Sequence, residues 1–167
     1  MLHVSITSFV KASREQVWEK ASTIAGVNEE FAPILKMTCP DPNAHISPSL
    51  VTGRPIFRSW LLLFGIFPVE YDLISIVECK EGFSFSEKSS MALLREWNHT
   101  RELTQTARGT KITDTLSFCP RAPLFFLGWI ARAVVRILFR YRHYRLGLIF
   151  GSSISVAEVE EMKKYED

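Results

Sequence analysis

Five residues in the second half of the chain have side chains suited to chemistry: Glu87, Arg95, His99, Arg101 and Asp114. Side chains two apart in an extended strand share a face, so Arg95, Trp97, His99, Arg101 and Leu103 point one way. Ile112, Asp114, Leu116 and Phe118 do the same in the following stretch, and the apolar members mark this face as the inner one. A hairpin turning at Thr106 to Gly109 sets residues opposite one another when their numbers sum to about 215. Leu103 then faces Ile112, Arg101 faces Asp114 and His99 faces Leu116. In the preceding stretch Phe83, Phe85 and Glu87 fall on the matching parity, which brings a second carboxylate to the same surface.

Charges turned into an apolar interior persist only when paired and hydrogen-bonded. On one reading Arg101 with Asp114 and Arg95 with Glu87 are internal ion pairs that set strand register. On the other, His99 and Arg101 face a ligand and recognise a carboxylate, phenol or carbonyl on it. A stricter form makes His99, beside a carboxylate, a general acid or base, with Arg101 polarising a carbonyl. His3, His45, His99 and His143 are scattered, and Cys39, Cys79 and Cys119 lie about 40 residues apart, so no metal-ligand spacing is present. Neither a nucleotide loop nor a nucleophile elbow is found. No cofactor and no metal is expected.

These residues need elements to hold them. Residues 2 to 10 alternate as a half-buried strand does. Ser13-Arg-Glu-Gln16 is a capping box opening a short helix with Val17, Trp18 and Ala21 on its apolar side. A second helical piece is expected over Thr23 to Leu35, then a turn-rich loop over residues 41 to 48. Strands follow at about 50 to 64, 69 to 79, 82 to 91, 93 to 105 and 110 to 119, joined as a meander. Leu124 to Leu148 reads as one long helix with Leu127, Ile130, Val134, Ile137 and Tyr141 turned inward. The fold class is thus α+β: a curved antiparallel sheet of about six or seven strands closed on a C-terminal helix, with two short helices after the first strand. Residues 1 to 150 form one domain, followed by an acidic tail or short helix over 151 to 167. The concave space between sheet and helix is the expected ligand site. Its walls are Trp60, Phe83, Phe85, Trp97, Leu116, Phe118 and Tyr141, and its polar groups are Glu87, His99, Arg101 and Asp114.

Four groups of residues carry a resemblance: Trp97-Asn-His99-Thr-Arg101-Glu-Leu103; Gly109-Thr110 with Asp114; Pro120; and Phe139-Arg-Tyr141-Arg142. Their order resembles the W-x-H-x-H-x-F, G-T-x-x-x-D, P, F-x-Y-R pattern of the START and birch-pollen-allergen-like superfamily (SRPBCC). The branch is the one labelled ligand-binding or polyketide cyclase/dehydratase-like. The likeness orders residues 53 to 146. It departs at Arg101, where the branch has a second His, and at Glu87, where it often has Asp. The resemblance implies a helix-grip fold with a hydrophobic cavity; it does not imply a reaction.

Between Asp114 and Glu158 there is no acidic residue, while Arg121, Arg132, Arg136, Arg140, Arg142 and Arg145 accumulate. Arg132, Arg136, Arg140 and His143 recur at three-to-four spacing and form a stripe. That stripe is either a solvated outer face or a surface for anionic lipid headgroups or an acidic partner. A net charge of +2 and the lack of a recognised binding motif exclude nucleic acid from the expected partners. Trp60 to Val69 is too short to span a bilayer, which takes about 20 residues. Leu124 to Phe139 would place Arg132 and Arg136 near the bilayer centre at roughly 2.5 to 3.5 kcal/mol each. No secretory leader pattern is seen, so a cytoplasmic setting is expected. Three functions fit: a non-catalytic carrier or sensor of a small hydrophobic or amphipathic molecule; a cyclase-like enzyme using His99 with Arg101; and a membrane-surface lipid-transfer module.

Overall fold

The chain begins with a strand, β1 (Leu2–Val10), whose alternation buries Val4 and Val10. The structure, a computed structural model, describes residues 1–152; the expected tail helix lies outside them. Helix α1 (Arg14–Ala21) starts on the expected capping box, with Ser13 Oγ accepting from Gln16 N and Gln16 Oε1 accepting from Ser13 N. Helix α2 (Ile24–Phe31) is capped by Thr23 and ends sooner than its pattern suggested, at Ala32-Pro33, because proline cannot continue the backbone ladder. The chain then makes a short strand, β2 (Leu35–Met37), where helix was expected.

The meander follows as β3 (Phe57–Leu63), β4 (Phe67–Ile74), β5 (Ile76–Lys80), β6 (Ser84–Ser89), β7 (Leu94–Thr106) and β8 (Gly109–Pro120). The expected strand over 69 to 79 breaks at Ser75 into β4 and β5. Five strands run in the order β1-β8-β7-β6-β5 and three in the order β2-β3-β4, all paired antiparallel. Leu73 N donates to Ser90 O and Lys88 N to Ser75 O, so the two groups join at the break into one curved surface. Leu103 pairs with Ile112, Arg101 with Asp114 and His99 with Leu116, the register that the hairpin rule gives. Gly109 holds that hairpin at φ +133°, and a Cβ there would lie 2.0 Å from Val10 O, so β1 can close on β8 only over a glycine.

Helix α3 (Gly128–Phe150) lies across the concave face and completes the helix-grip fold. It is turned about its axis relative to the expected orientation. Gly128, Phe139, Arg142, His143 and Leu146 are buried, whereas Ile130, Val134 and Ile137 are exposed. The sheet beneath presents Asp114, and α2 presents Glu30, so the helix turns its matching cation and imidazole inward. An apolar face there would leave two buried carboxylates to share the single Arg101 guanidinium, with one negative charge uncompensated, at a cost of several kcal/mol.

Candidate functional site

The concave face carries two polar groupings of different character. The first is centred on Asp114, which is fully buried. Its Oδ1 accepts from Arg101 Nε at 2.7 Å and lies 3.0 Å from His99 Nε2. Its Oδ2 accepts from Arg101 Nη2 at 2.6 Å and lies 3.0 Å from His143 Nε2. Arg101 Nη1 donates to both oxygens of Glu30, at 3.1 and 2.9 Å, and Arg142 Nε donates to Glu30 Oε2 at 2.5 Å. The other nitrogen of His143 is 2.7 Å from Ser8 Oγ. Strand, sheet edge and two helices therefore meet in one closed network.

Burial pushes the Asp114 carboxyl up, but the Arg101 guanidinium, with His99 and His143 beside it, outweighs that and holds it well below the ordinary carboxylate range. Burial likewise pushes Glu30 up, and Arg101 and Arg142 together bring it below its ordinary value. Arg101 stays charged, its affinity for the proton raised by both carboxylates against the opposing effect of burial. Its Nε, Nη1 and Nη2 are all engaged by protein. The ion pair Arg101–Asp114 is present; the pair Arg95–Glu87 is not. A bulge between Leu94 and Glu96 shifts the register, leaving Arg95 exposed beside Glu96 and Cys119.

The second grouping is open. Ser59 on β3 pairs with Asp72 on β4, and both are buried on the inner face. Next to them Glu87 Oε1 accepts from Ser89 Oγ at 2.6 Å. Burial, reinforced by the Glu87 charge, pushes the Asp72 carboxyl up to about 9, so it keeps its proton at neutral pH. Glu87 goes the other way: burial raises it, and hydrogen bonding from His99, Asp72 and Ser89 brings it below its ordinary value. Ser59 Oγ and Asp72 Oδ1 have no hydrogen-bond partner among the described residues. His99 stands between the groupings, with Nε2 on Asp114 and Nδ1 3.9 Å from Glu87 Oε2.

Of the expected walls, Phe85, Trp97, Leu116 and Phe118 are buried on the inner face. Trp97 packs on Phe118 and Phe139, and His99 meets the edges of Phe85 and Phe139. Tyr141 is half-buried and donates to Ala32 O at 2.6 Å, so its hydroxyl is engaged by backbone. Trp60 and Phe83 lie outside. Trp60 has the opposite parity to the buried Ser59 and is 43% exposed against Tyr71. Phe83 falls in the turn before β6, 51% exposed under the Arg14 guanidinium. Arg132, Arg136 and Arg140 are exposed as expected, while His143, read into the same stripe, is buried.

Sequence reasoning passed over Glu30, Ser59 and Asp72, gave Arg142 no inward role, and put His143 on the outer stripe. Glu30 had a signal, since it shares the α2 face of Gly26, Val27 and Phe31, and a charge on an apolar stripe calls for a partner.

The outside of α3 is as unusual as its inside. Trp129 is 72% exposed, Ile137 65%, Tyr144 62% and Leu148 59%, with Ile130 and Val134 exposed between them. Arg132, Arg136 and Arg140 are exposed on the same helix, and no acidic residue lies on it. The turn joining β3 to β4 adds exposed Phe64, Ile66 and Phe67. It is tied by Phe64 N to Ile34 O, two residues from the carbonyl that Tyr141 holds. Among the described residues no helix is long and apolar enough to cross a membrane.

A family model described as a domain of unknown function, DUF8410, matches residues 8–150. No curated protein matches the sequence. Solved structures do match over nearly the whole chain. A Chromobacterium violaceum protein superposes with TM-score 0.67 at 11% identity, covering 90% of this chain and 99% of that one. A START superfamily protein from Mycobacterium smegmatis gives 0.62 at 12%, covering 89% and 96%. A Streptomyces aromatase/cyclase gives 0.58 at 13%, covering 89% and 95%. At these identities the likeness establishes the START-like helix-grip fold, in agreement with the residue pattern that resembled it.

Proposed function

We propose that this chain, which belongs to the DUF8410 family, is a non-catalytic carrier or sensor of a small hydrophobic or amphipathic molecule that works docked on an anionic membrane surface. The observation that carries the reading is the outward face of α3, where Trp129, Ile130, Val134, Ile137, Tyr144 and Leu148 stand in solvent beside Arg132, Arg136 and Arg140. A helix that lies in the plane of a bilayer has this make-up, apolar side chains toward the acyl region and cations at the phosphates. Isolated apolar residues exposed on a monomer surface need no partner, but a row of large ones along five turns points to one. The fold supplies the other half: a concave sheet under a helix, with an apolar core of Phe31, Leu35, Met91, Trp97 and Phe139 between them and half-buried Ile34, Met37, Leu63, Val135 and Leu138 packed against it.

The enzyme reading has less support. Arg101, its electrophile, is buried with its donors committed to Asp114 and Glu30, and His99 Nε2 is committed to Asp114.

Sedimentation with lipid vesicles tests the docking. The chain should pellet with vesicles containing an anionic lipid and release as salt is added, since the attraction fades beyond a Debye length of about 8 Å at physiological ionic strength. Replacing Arg132, Arg136 and Arg140 by Gln should weaken binding by roughly 100-fold, taking about 1 kcal/mol for each charge. Binding indifferent to anionic lipid and to all three substitutions would refute it.

A further inference from the structure

We propose that Ser59 and Asp72 form the polar end of the ligand site and bind an amphipathic molecule through a single hydroxyl, in preference to a carboxylate. The inference rests on the reading that the interior takes a ligand, and it names the class.

Three observations support it. Ser59 Oγ and Asp72 Oδ1 are buried on facing residues of β3 and β4, and neither has a partner among the described residues. Buried polar groups in folded proteins are nearly always satisfied, so a pair left open on a concave face awaits a group that can bond both. A hydroxyl fits, since it can accept from the serine and donate to Asp72 Oδ1, while the Asp72 proton is turned to Glu87. The surroundings are apolar on the same face. Leu63 follows Ser59 by two alternations on β3, and Asp72 bridges to Met91, and both Leu63 and Met91 belong to the core cluster under α3.

Charge decides which head group is accepted. Glu87, on the neighbouring strand, is the ionised member of this grouping, so a ligand carboxylate would meet a like charge in a medium of low dielectric. The cation that would have favoured an anion, Arg101, is fully spent on Asp114 and Glu30.

Equilibrium dialysis of labelled dodecane, dodecanol and dodecanoate against the full chain at neutral pH tests the assignment. Dodecanol should bind tighter than dodecanoate, and its bonds to Ser59 and Asp72 should give it an advantage of about 10-fold in affinity, the worth of about one good hydrogen bond. Ser59→Ala and Asp72→Leu should each erase most of that advantage and leave dodecane unchanged; Asp72→Asn, which keeps a neutral donor and acceptor, should retain it. Ser59→Ala is small enough to leave folding intact if Asp72→Leu does not. If dodecane binds but dodecanoate binds as well as dodecanol, or Ser59→Ala changes nothing, the subsite is wrong while the interior site stands. If neither dodecane nor dodecanol binds, the interior site itself is wrong and the subsite falls with it.

Discussion

The two faces of α3 both carry large apolar side chains, but only the inner one carries polar groups bonded to buried carboxylates. Inward it places Phe139 and Leu146 together with Arg142 and His143; outward it places Ile137, Tyr144 and Leu148 in solvent. Hydrophobicity alone does not choose between the two faces. What decides is the surface opposite: a sheet that presents Asp114 and a helix that presents Glu30 must be met by cations and donors, because an unpaired buried charge costs more than several exposed aliphatic side chains do. The lesson is that polar residues among the inward apolar ones can fix a helix's orientation and leave a second apolar side for a partner.

The largest test of this contrast removes the inner anchor. Asp114→Asn or Glu30→Gln should destabilise the protein by about 3 to 5 kcal/mol, since each leaves a buried guanidinium short of its counter-charge. Chemical denaturation would read it; a loss under about 1 kcal/mol would mean the network does not orient α3. The outer face should behave in the opposite sense. Ile137→Asp should alter stability by no more than about 0.5 kcal/mol, as for ordinary surface positions, yet weaken vesicle binding strongly by placing a carboxylate among anionic headgroups. A variant that unfolds instead would show that this face is structural.

A smaller effect concerns pH. Asp114 and Glu30 have folded values below their unfolded ones, so the stability they contribute is complete above the ordinary carboxylate range and is lost as pH falls through the depressed values. Asp72 is raised to about 9, so the folded state holds a proton that the unfolded state has released, and stability declines as pH rises from the ordinary carboxylate range toward 9. Asp72→Asn should flatten the alkaline decline in a series of thermal melts and leave the acid limb unchanged. An unaltered alkaline limb would remove the protonated Asp72 from the account.

Much of this was legible in the sequence, for reasons that are local. The capping box at Ser13, the β7–β8 register and the order of strands and helices follow from period and turn chemistry acting over a few residues. The Arg101–Asp114 pair followed from register alone. The orientation of α3 did not, because its 23 residues carry apolar positions on more than one side, and only Glu30, distant in sequence, settles which side goes in. The quoted pattern acquires a physical meaning in the fold: Trp97 and Phe139 pack together, His99 and Asp114 bond, and Arg142 reaches Glu30. Arg101, at the position where the pattern has a second His, ties Asp114 to Glu30. Ser59 and Asp72 were passed over because a lone serine and a lone aspartate on separate strands give no spacing to read.

The most direct measurement uses Trp129, which stands on the outward face of α3, while Trp18 and Trp97 are buried. In a Trp60→Phe background, vesicles containing an anionic lipid with brominated acyl chains should quench the emission of Trp129, and Trp129→Phe should abolish that quenching. Vesicle-bound protein whose Trp129 emission is untouched by the brominated chains would contradict docking through this face.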